Sequence, residues 1–526
     1  MSRTVGALCE RAARRSAMSD KVIVTNWTAL KKKYGSKVSQ IDAAIKKMIA
    51  ADKARGLDTI LLRIDSAADM KKVGGKAVIS ASNQKQNKNA IDAIDEKLSP
   101  DYILILGATD VIPHQSLNNP VYEEGGDDDD KYAYSDIPYA CDASYSKDIA
   151  DFIGPTRVVG RLPNITGDTN PAYLASLIGN AAGWESSAPA KYLNGFGVST
   201  DEWKESTALS LKNLFGSKAK AALSPKEGPK WAATALSRRT HFINCHGSLG
   251  EPFFYGQKGD DYPVAHDAAI VESKIARGTV AAMECCYGAE LYEPDDGVHP
   301  GIANTYLQSG AYGYLGSTTI AYGPAKGNGS ADLICQYFLK SVCDGASLGR
   351  AALEARQKFA SQSAELDPID LKTLAQFVLL GDPSIHPVKS ASANAPKTLK
   401  TRGLVDERGE RRRALLSKGV MIANNQPVTR RVDVKSTPKL QSSLLKLAST
   451  QMSNPKLMTF EVDRRSSGLR SAFMKGRMRE KSPSTVHVVI GLSKEQPADT
   501  NIRPVVAIVA KTVDNKIVSV RELFGK

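Results

Sequence analysis

His241-Phe-Ile-Asn-Cys-His246-Gly247-Ser248 and Thr279-Val-Ala-Ala-Met-Glu284-Cys285-Cys286-Tyr287-Gly288-Ala289 are two short apolar runs, each ending at a reactive residue and then a glycine. Apolar runs of this length, bounded by glycine, read as buried strands of a parallel sheet. In an open α/β sheet, ligands bind beyond the carboxyl ends of the strands. Two neighbouring strands therefore present an imidazole, His246, and a thiol, Cys286, at one edge, which is the minimum needed for a cysteine nucleophile. Taken singly, each half has a bland alternative. His-Gly is a common dipeptide, and a cysteine ending an apolar strand is usually a small buried hydrophobe. Both together, at strand ends and in this order, favour the catalytic reading. Gly247 lets the backbone approach a substrate closely. Its N–H and that of Cys286 are the candidate oxyanion donors.

Working outward, the same rhythm extends in both directions. Val22–Thr25, Thr59–Ile64, Asp101–Gly107, Gly195–Ser199 and Ala311–Ser317 read as strands, with a weaker one at Ala77–Ser80. Val38–Ala54, Pro171–Gly179, Glu205–Phe215, Ser330–Val342 and Ser347–Ala360 read as helices. This alternation implies an α/β fold with a mostly parallel sheet. Between the strands, Glu123-Glu-Gly-Gly-Asp-Asp-Asp-Asp130 reads as a solvated, mobile acidic loop, with a calcium site or a lid as the alternatives.

At 526 residues the chain is too long for one ordinary core. The expected division is a tail over 1–20, a non-catalytic α/β subdomain over 21–185, a catalytic subdomain over 186–390, and a linker with a basic α+β region over 391–526. The charge is divided in the same way. Residues 391–526 carry 27 Lys and Arg against 11 Asp and Glu, a net of +16, while residues 1–390 are nearly neutral at −2. Such a region suits a regulatory protein, an acidic partner or a nucleic acid. No apolar run is long enough to span a bilayer, and no secretory signal opens the chain. The seven cysteines show neither paired spacing nor a zinc pattern, so a reducing cytoplasm is expected, with no metal and no cofactor.

Several landmarks then coincide: Tyr102-Ile-Leu-Ile-Leu-Gly-Ala-Thr-Asp-Val-Ile-Pro113, Ser135-Asp136-Ile-Pro-Tyr139, Val158-Val-Gly160-Arg161-Leu-Pro163, Cys245-His246-Gly247-Ser248, Glu284-Cys-Cys286-Tyr-Gly288, Gly316-Ser317-Thr318 and Leu380-Gly381-Asp382-Pro383-Ser384. From about Val22 to Val388 the chain resembles the gingipain-type cysteine peptidases of the caspase-like clan. The resemblance implies two adjacent α/β subdomains and a Cys–His dyad in the second, acting on a protein or peptide substrate. It places the general base on His246 and the nucleophile on the Cys-Cys pair. Caspase-type Cys-x-Gly spacing selects Cys286, and gingipain-type Cys-x-x-Gly spacing selects Cys285. Cys286 is preferred here, with Cys285 the alternative nucleophile.

Glu284 lies two positions before Cys286, so strand alternation puts both on one face. It is either near the substrate mouth or a solvated strand-end carboxylate. The resemblance also implies a charged S1 pocket served by an acidic residue after the first strand of the catalytic subdomain. Asp201, then Glu205, are the candidates, with a helix N-cap as the structural alternative for Asp201. The expected activity is therefore an intracellular endopeptidase cutting after basic residues. Self-cleavage near Arg411-Arg-Arg413 is a corollary. The rival reading is a catalytically silent caspase-like scaffold whose basic region does the binding.

Overall fold

The computed structural model describes residues 19–295, 297–389, 403–432, 436–463, 484–494, 497 and 500–526. The N-terminal tail, the linker Ser390–Lys400 and the clusters Arg464–Arg465 and Lys475–Arg479 lie outside these residues.

The two α/β halves build one sheet of ten strands. In spatial order they are Thr59–Arg63, Lys21–Thr25, Tyr102–Leu106, Val159–Leu162, Phe377–Gly381, Gly313–Ser317, Val280–Met283, Thr240–Asn244, Phe196–Thr200 and Ala222–Ser224. All neighbours run parallel except one pair, Phe377–Gly381 against Gly313–Ser317. The sheet is thus two parallel blocks of five strands, joined at one antiparallel seam, and their carboxyl ends face opposite ways. In the second block the chain steps from Phe196–Thr200 out to Ala222–Ser224, then back past it to Thr240–Asn244. That reversal is a topological switch point, where strand ends open a crevice.

The motifs that suggested the family are structural charges in this frame. Arg161 is fully buried and holds both oxygens of Asp136, with Nε at 2.9 Å and Nη2 at 2.6 Å. Its Nη1 also donates to the Gly107 and Ile112 carbonyls. Lys21, on the first strand, bridges Asp52 and Asp382 of the Gly-Asp-Pro-Ser turn. Of these buried pairs, Lys21–Asp382 ties the first half to the end of the second, and removing one partner of any of them would strand an uncompensated charge.

Most predicted elements occur close to their expected bounds, including the helix Val38–Ala54. Ala77–Ser80 forms no strand. Val78 makes one ladder-like bond, to the Ile64 carbonyl, and Ile79 points into solvent.

A six-stranded antiparallel sheet covers the second α/β half. Its order is Tyr322–Gly323, Lys516–Gly525, Val505–Val513, Ser484–Ser493, Met452–Asp463 and Val428–Arg431. Five of these strands come from the basic region, and one, Tyr322–Gly323, comes from the second α/β half. The two parts share a core: Cys286, Ile320, Tyr322 and Ile369 pack with Met458, Phe460, Val488, Val505 and Leu523.

The acidic loop is packed, which corrects the expectation of a solvated, mobile segment. Asp128 is buried and, with Asp130, receives Lys372 Nζ at 2.7 and 3.1 Å. The basic region meets carboxylates of its own chain. Arg431 reaches Glu123, Arg503 reaches Asp127 and Asp129, Lys511 reaches Glu365, and Arg521 reaches Asp367 and Asp370. Arg411–Arg413 lie inside the helix Gly403–Asn425, not in an extended segment. Among the described residues no helix is long and apolar enough to cross a membrane, and no cluster of metal-binding side chains occurs.

Candidate active site

His246 follows the strand Thr240–Asn244, and Cys286 follows its neighbour Val280–Met283, so both lie at the carboxyl edge of the second block. Gly247 lies hard against the cysteine backbone. A Cβ there would meet the Cys286 carbonyl oxygen at 1.8 Å, so only glycine fits. Tyr287, directly after Cys286, has φ = +54°. A bulky residue in the left-handed region is costly unless its surroundings fix it. Here they do: Tyr287 N–H donates to Thr319 O at 3.1 Å, and its hydroxyl donates to Asp130 at 3.0 Å.

The Cys286 thiol lies against Ala321, the residue before the edge strand Tyr322–Gly323. Ala321 N–H donates to Sγ at 3.3 Å. Cys285 points elsewhere, its Sγ 3.7 Å from the Ile243 carbonyl. Burial drives the Cys285 thiol well above its ordinary pKa and the Cys286 thiol to about 12. His246 is held from two sides. Nε2 contacts Gln257 Oε1 at 2.8 Å, and the ring packs on Trp203 with centroids 4.3 Å apart. Burial, partly offset by the bond to Gln257, lowers its pKa to about 4, and the Lys526 charge adds to the lowering. Both shifts favour the neutral forms, a thiol and an imidazole.

The cleft between them is filled by the chain's own last strand. Gly525 pairs with Tyr322, and Phe524 with Gly323, in antiparallel register. Lys526 N–H donates to Ala321 O at 2.8 Å, and the Lys526 carbonyl accepts the N–H of Cys286. Its side chain enters a closed pocket. Nζ lies 3.1 Å from Glu284 Oε1, 3.4 Å from the Pro324 carbonyl and 4.4 Å from the centre of the Trp203 ring. Asp332, fully buried, stands beside Glu284. Burial and the Asp332 charge push the Glu284 carboxyl well above its usual range, and the ammonium opposes that shift. Gly323 forms one wall, where an added Cβ would come within 2.4 Å of Lys526 Cε.

The structure thus brings together Cys286, His246, Gly247 and Glu284. It does not bring Asp201 or Glu205 to the lysine. Asp201 pairs with Lys204 at 3.1 Å, and Glu205 lies 3.7 Å from Lys326 at the surface. Nor is Asp201 an N-cap: the helix Lys204–Phe215 starts after Trp203 without a side-chain cap. The stretch singled out in the sequence does supply the pocket, but through the aromatic face of Trp203. Trp203, Gln257, Gly323 and Asp332 were missed. Asp332 had a faint signal, as the N3 residue of a capping box that accepts Gly329 N–H at 3.2 Å.

Residues 270–388 match the family model described as Peptidase family C25, the gingipain family. The family expected from the motifs is the one matched, over the stretch that carries Glu284, Cys285 and Cys286. A solved structure named "Structure of Protease" aligns over 97% of this chain and 97% of its own, at 13% identity and a TM-score of 0.45. No curated protein matches.

Proposed function

We propose that this protein is a cysteine endopeptidase that cleaves peptide bonds after lysine, with Cys286 as nucleophile and His246 as general base and acid. One observation carries the reading. A lysine lies extended in the cleft with its carbonyl on the Cys286 N–H and its ammonium at Glu284. That is the placement a residue on the acyl side of a scissile bond requires.

In this mechanism His246 takes the Cys286 proton as sulfur attacks the carbonyl carbon. The C–S bond forms, and the carbonyl oxygen becomes an oxyanion held by the Cys286 N–H. The C–N bond then breaks, and the leaving amine takes the proton from His246. Water, deprotonated by the same imidazole, hydrolyses the thioester and returns the thiol. Gln257 on Nε2 orients the ring, a role typical of such pairs.

Lysine is favoured over arginine because the pocket is closed around a compact ammonium. Its partners are a carboxylate, a carbonyl and the face of Trp203. The planar guanidinium is wider and would press on the wall at Gly323. Substrate main chain would pair with Tyr322–Gly323 by strand addition.

The test is a panel of fluorogenic peptides identical but for the residue before the cut. Lys-ended peptides should be cleaved fastest, Arg-ended ones at least tenfold more slowly, and Asp- and Leu-ended ones not at all. Cys286→Ala and His246→Ala should each abolish turnover with the fold intact. Equal cleavage after Asp or Leu, or activity surviving in Cys286→Ala, would overturn the reading.

A further inference from the structure

The cleft described above is occupied by a segment of the protein itself, and its contacts run through main chain, side chain and carbonyl at once. Lys526 uses its N–H, its carbonyl and its ammonium, each on a group assigned to substrate recognition or catalysis. The fit is built in by the fold, because the segment is the end of a ten-residue strand, Lys516–Gly525. That strand is paired along its length with Val505–Val513. It is anchored further by Arg521, which holds Asp367 and Asp370 on the catalytic half. Leu523 is buried in the core that also contains Cys286.

We propose that Leu523–Lys526 is a tethered, substrate-like inhibitor that keeps this peptidase latent until the segment leaves the cleft. The inference rests on the peptidase reading above and adds its regulation. Three features carry it. First, the segment takes the pairing edge Tyr322–Gly323, so no other peptide can add a strand there. Second, Lys526 fills the lysine pocket with its side chain fully buried. The space remaining beside it is a cavity of about 80 Å³ that Phe524 and Gly525 of the same segment help to line, together with Trp203, His246, Gln257 and Tyr262. Third, the Lys526 carbonyl uses the Cys286 N–H that an incoming substrate would need. Tethering makes this effective, because a covalently linked ligand competes at a high local concentration even when its intrinsic affinity is modest.

Occupancy and latency are read separately by one experiment on the full chain. Parent, Lys526→Ala and Lys526→Glu proteins are compared for kcat/KM on a Lys-ended peptide and for the rate at which iodoacetamide alkylates Cys286. Thermal melts confirm that each variant is folded. Lys526→Glu guards against a partial effect, since it sets a carboxylate against Glu284 and Asp332. The expected result is at least a tenfold rise in both rates in both variants. The gain in cleavage should vanish when Cys286→Ala is added. Equal cleavage by parent and variants, still dependent on Cys286, would overturn the inference and leave the peptidase reading standing. Faster alkylation in the variants with no cleavage by any of them would overturn the peptidase reading and leave the occupied cleft.

Discussion

Lys526 Nζ sits 3.1 Å from Glu284 Oε1, and Glu284 is two residues before Cys286 on the same strand end. One short run of backbone therefore supplies both the floor of the lysine pocket and the proposed nucleophile. The buried ammonium needs that carboxylate, since breaking one partner of a buried pair costs about 3–5 kcal/mol. In the Lys526→Ala background, where the lysine of the last strand no longer fills the pocket, Glu284→Gln should thus cut kcat/KM on Lys-ended peptides by more than tenfold, and little of the loss should appear on an uncharged thiol reagent. A rate on Lys-ended peptides within twofold of Lys526→Ala alone would remove Glu284 from the pocket.

The wall at Gly323 makes a steric prediction. An added Cβ falls where Lys526 Cε lies. Gly323→Ala should raise KM for Lys-ended peptides several-fold and disfavour Arg-ended ones further. Steady-state kinetics on both series check this, and unchanged KM values would show that the wall yields.

Lys372 is a buried cation between Asp128 and Asp130. Asp130 also accepts from the Tyr287 hydroxyl and from Ile320 N–H at 2.7 Å, one on each side of the thiol. Lys372→Met leaves two buried carboxylates without their cation. We expect a loss of about 3–5 kcal/mol in urea unfolding, with a fall in peptidase activity at pH values where the variant is still folded. A variant as stable as the parent would mean that the acidic loop is not a support of the site.

The His246 pKa is held near 4 by burial beneath the last strand. A histidine depressed in the closed state, against about 6.5 in the open one, favours closure fully above pH 6.5. That contribution is lost as pH falls through 4. NMR titration of the imidazole should give a midpoint near 4 in the parent and a higher one, toward 6.5, in Lys526→Ala. A midpoint that does not move would show that the last strand does not bury the ring.

Much of the frame could be read from the sequence. Buried strands declare themselves as apolar runs, and His246, Cys286 and Glu284 stand out in the sequence because each ends such a run. The charge pocket was placed one turn wrong. Asp201 and Glu205 are acidic, but they face Lys204 and Lys326, while the neighbouring Trp203 faces the lysine. Side-chain direction at a strand-to-helix turn has no period to read. Long-range pairings were equally hidden. Nothing local links Glu123–Asp130 to Lys372 and Arg503, so a cluster of like charges looked solvated when its counter-charges lay hundreds of residues away. The role of Lys526 was invisible for the same reason, since only the fold brings it to Cys286.

We propose Cys286 as the nucleophile beside a lysine pocket, and that assignment is the one on which everything else rests. It is tested most directly by treating the Lys526→Ala protein with a peptidyl-lysine acyloxymethyl ketone and mapping the covalent adduct by mass spectrometry. We predict one adduct, on Cys286, which is absent in His246→Ala and reduced more than tenfold in Glu284→Gln. An adduct on Cys285, or labelling that ignores the loss of His246 and Glu284, would contradict it.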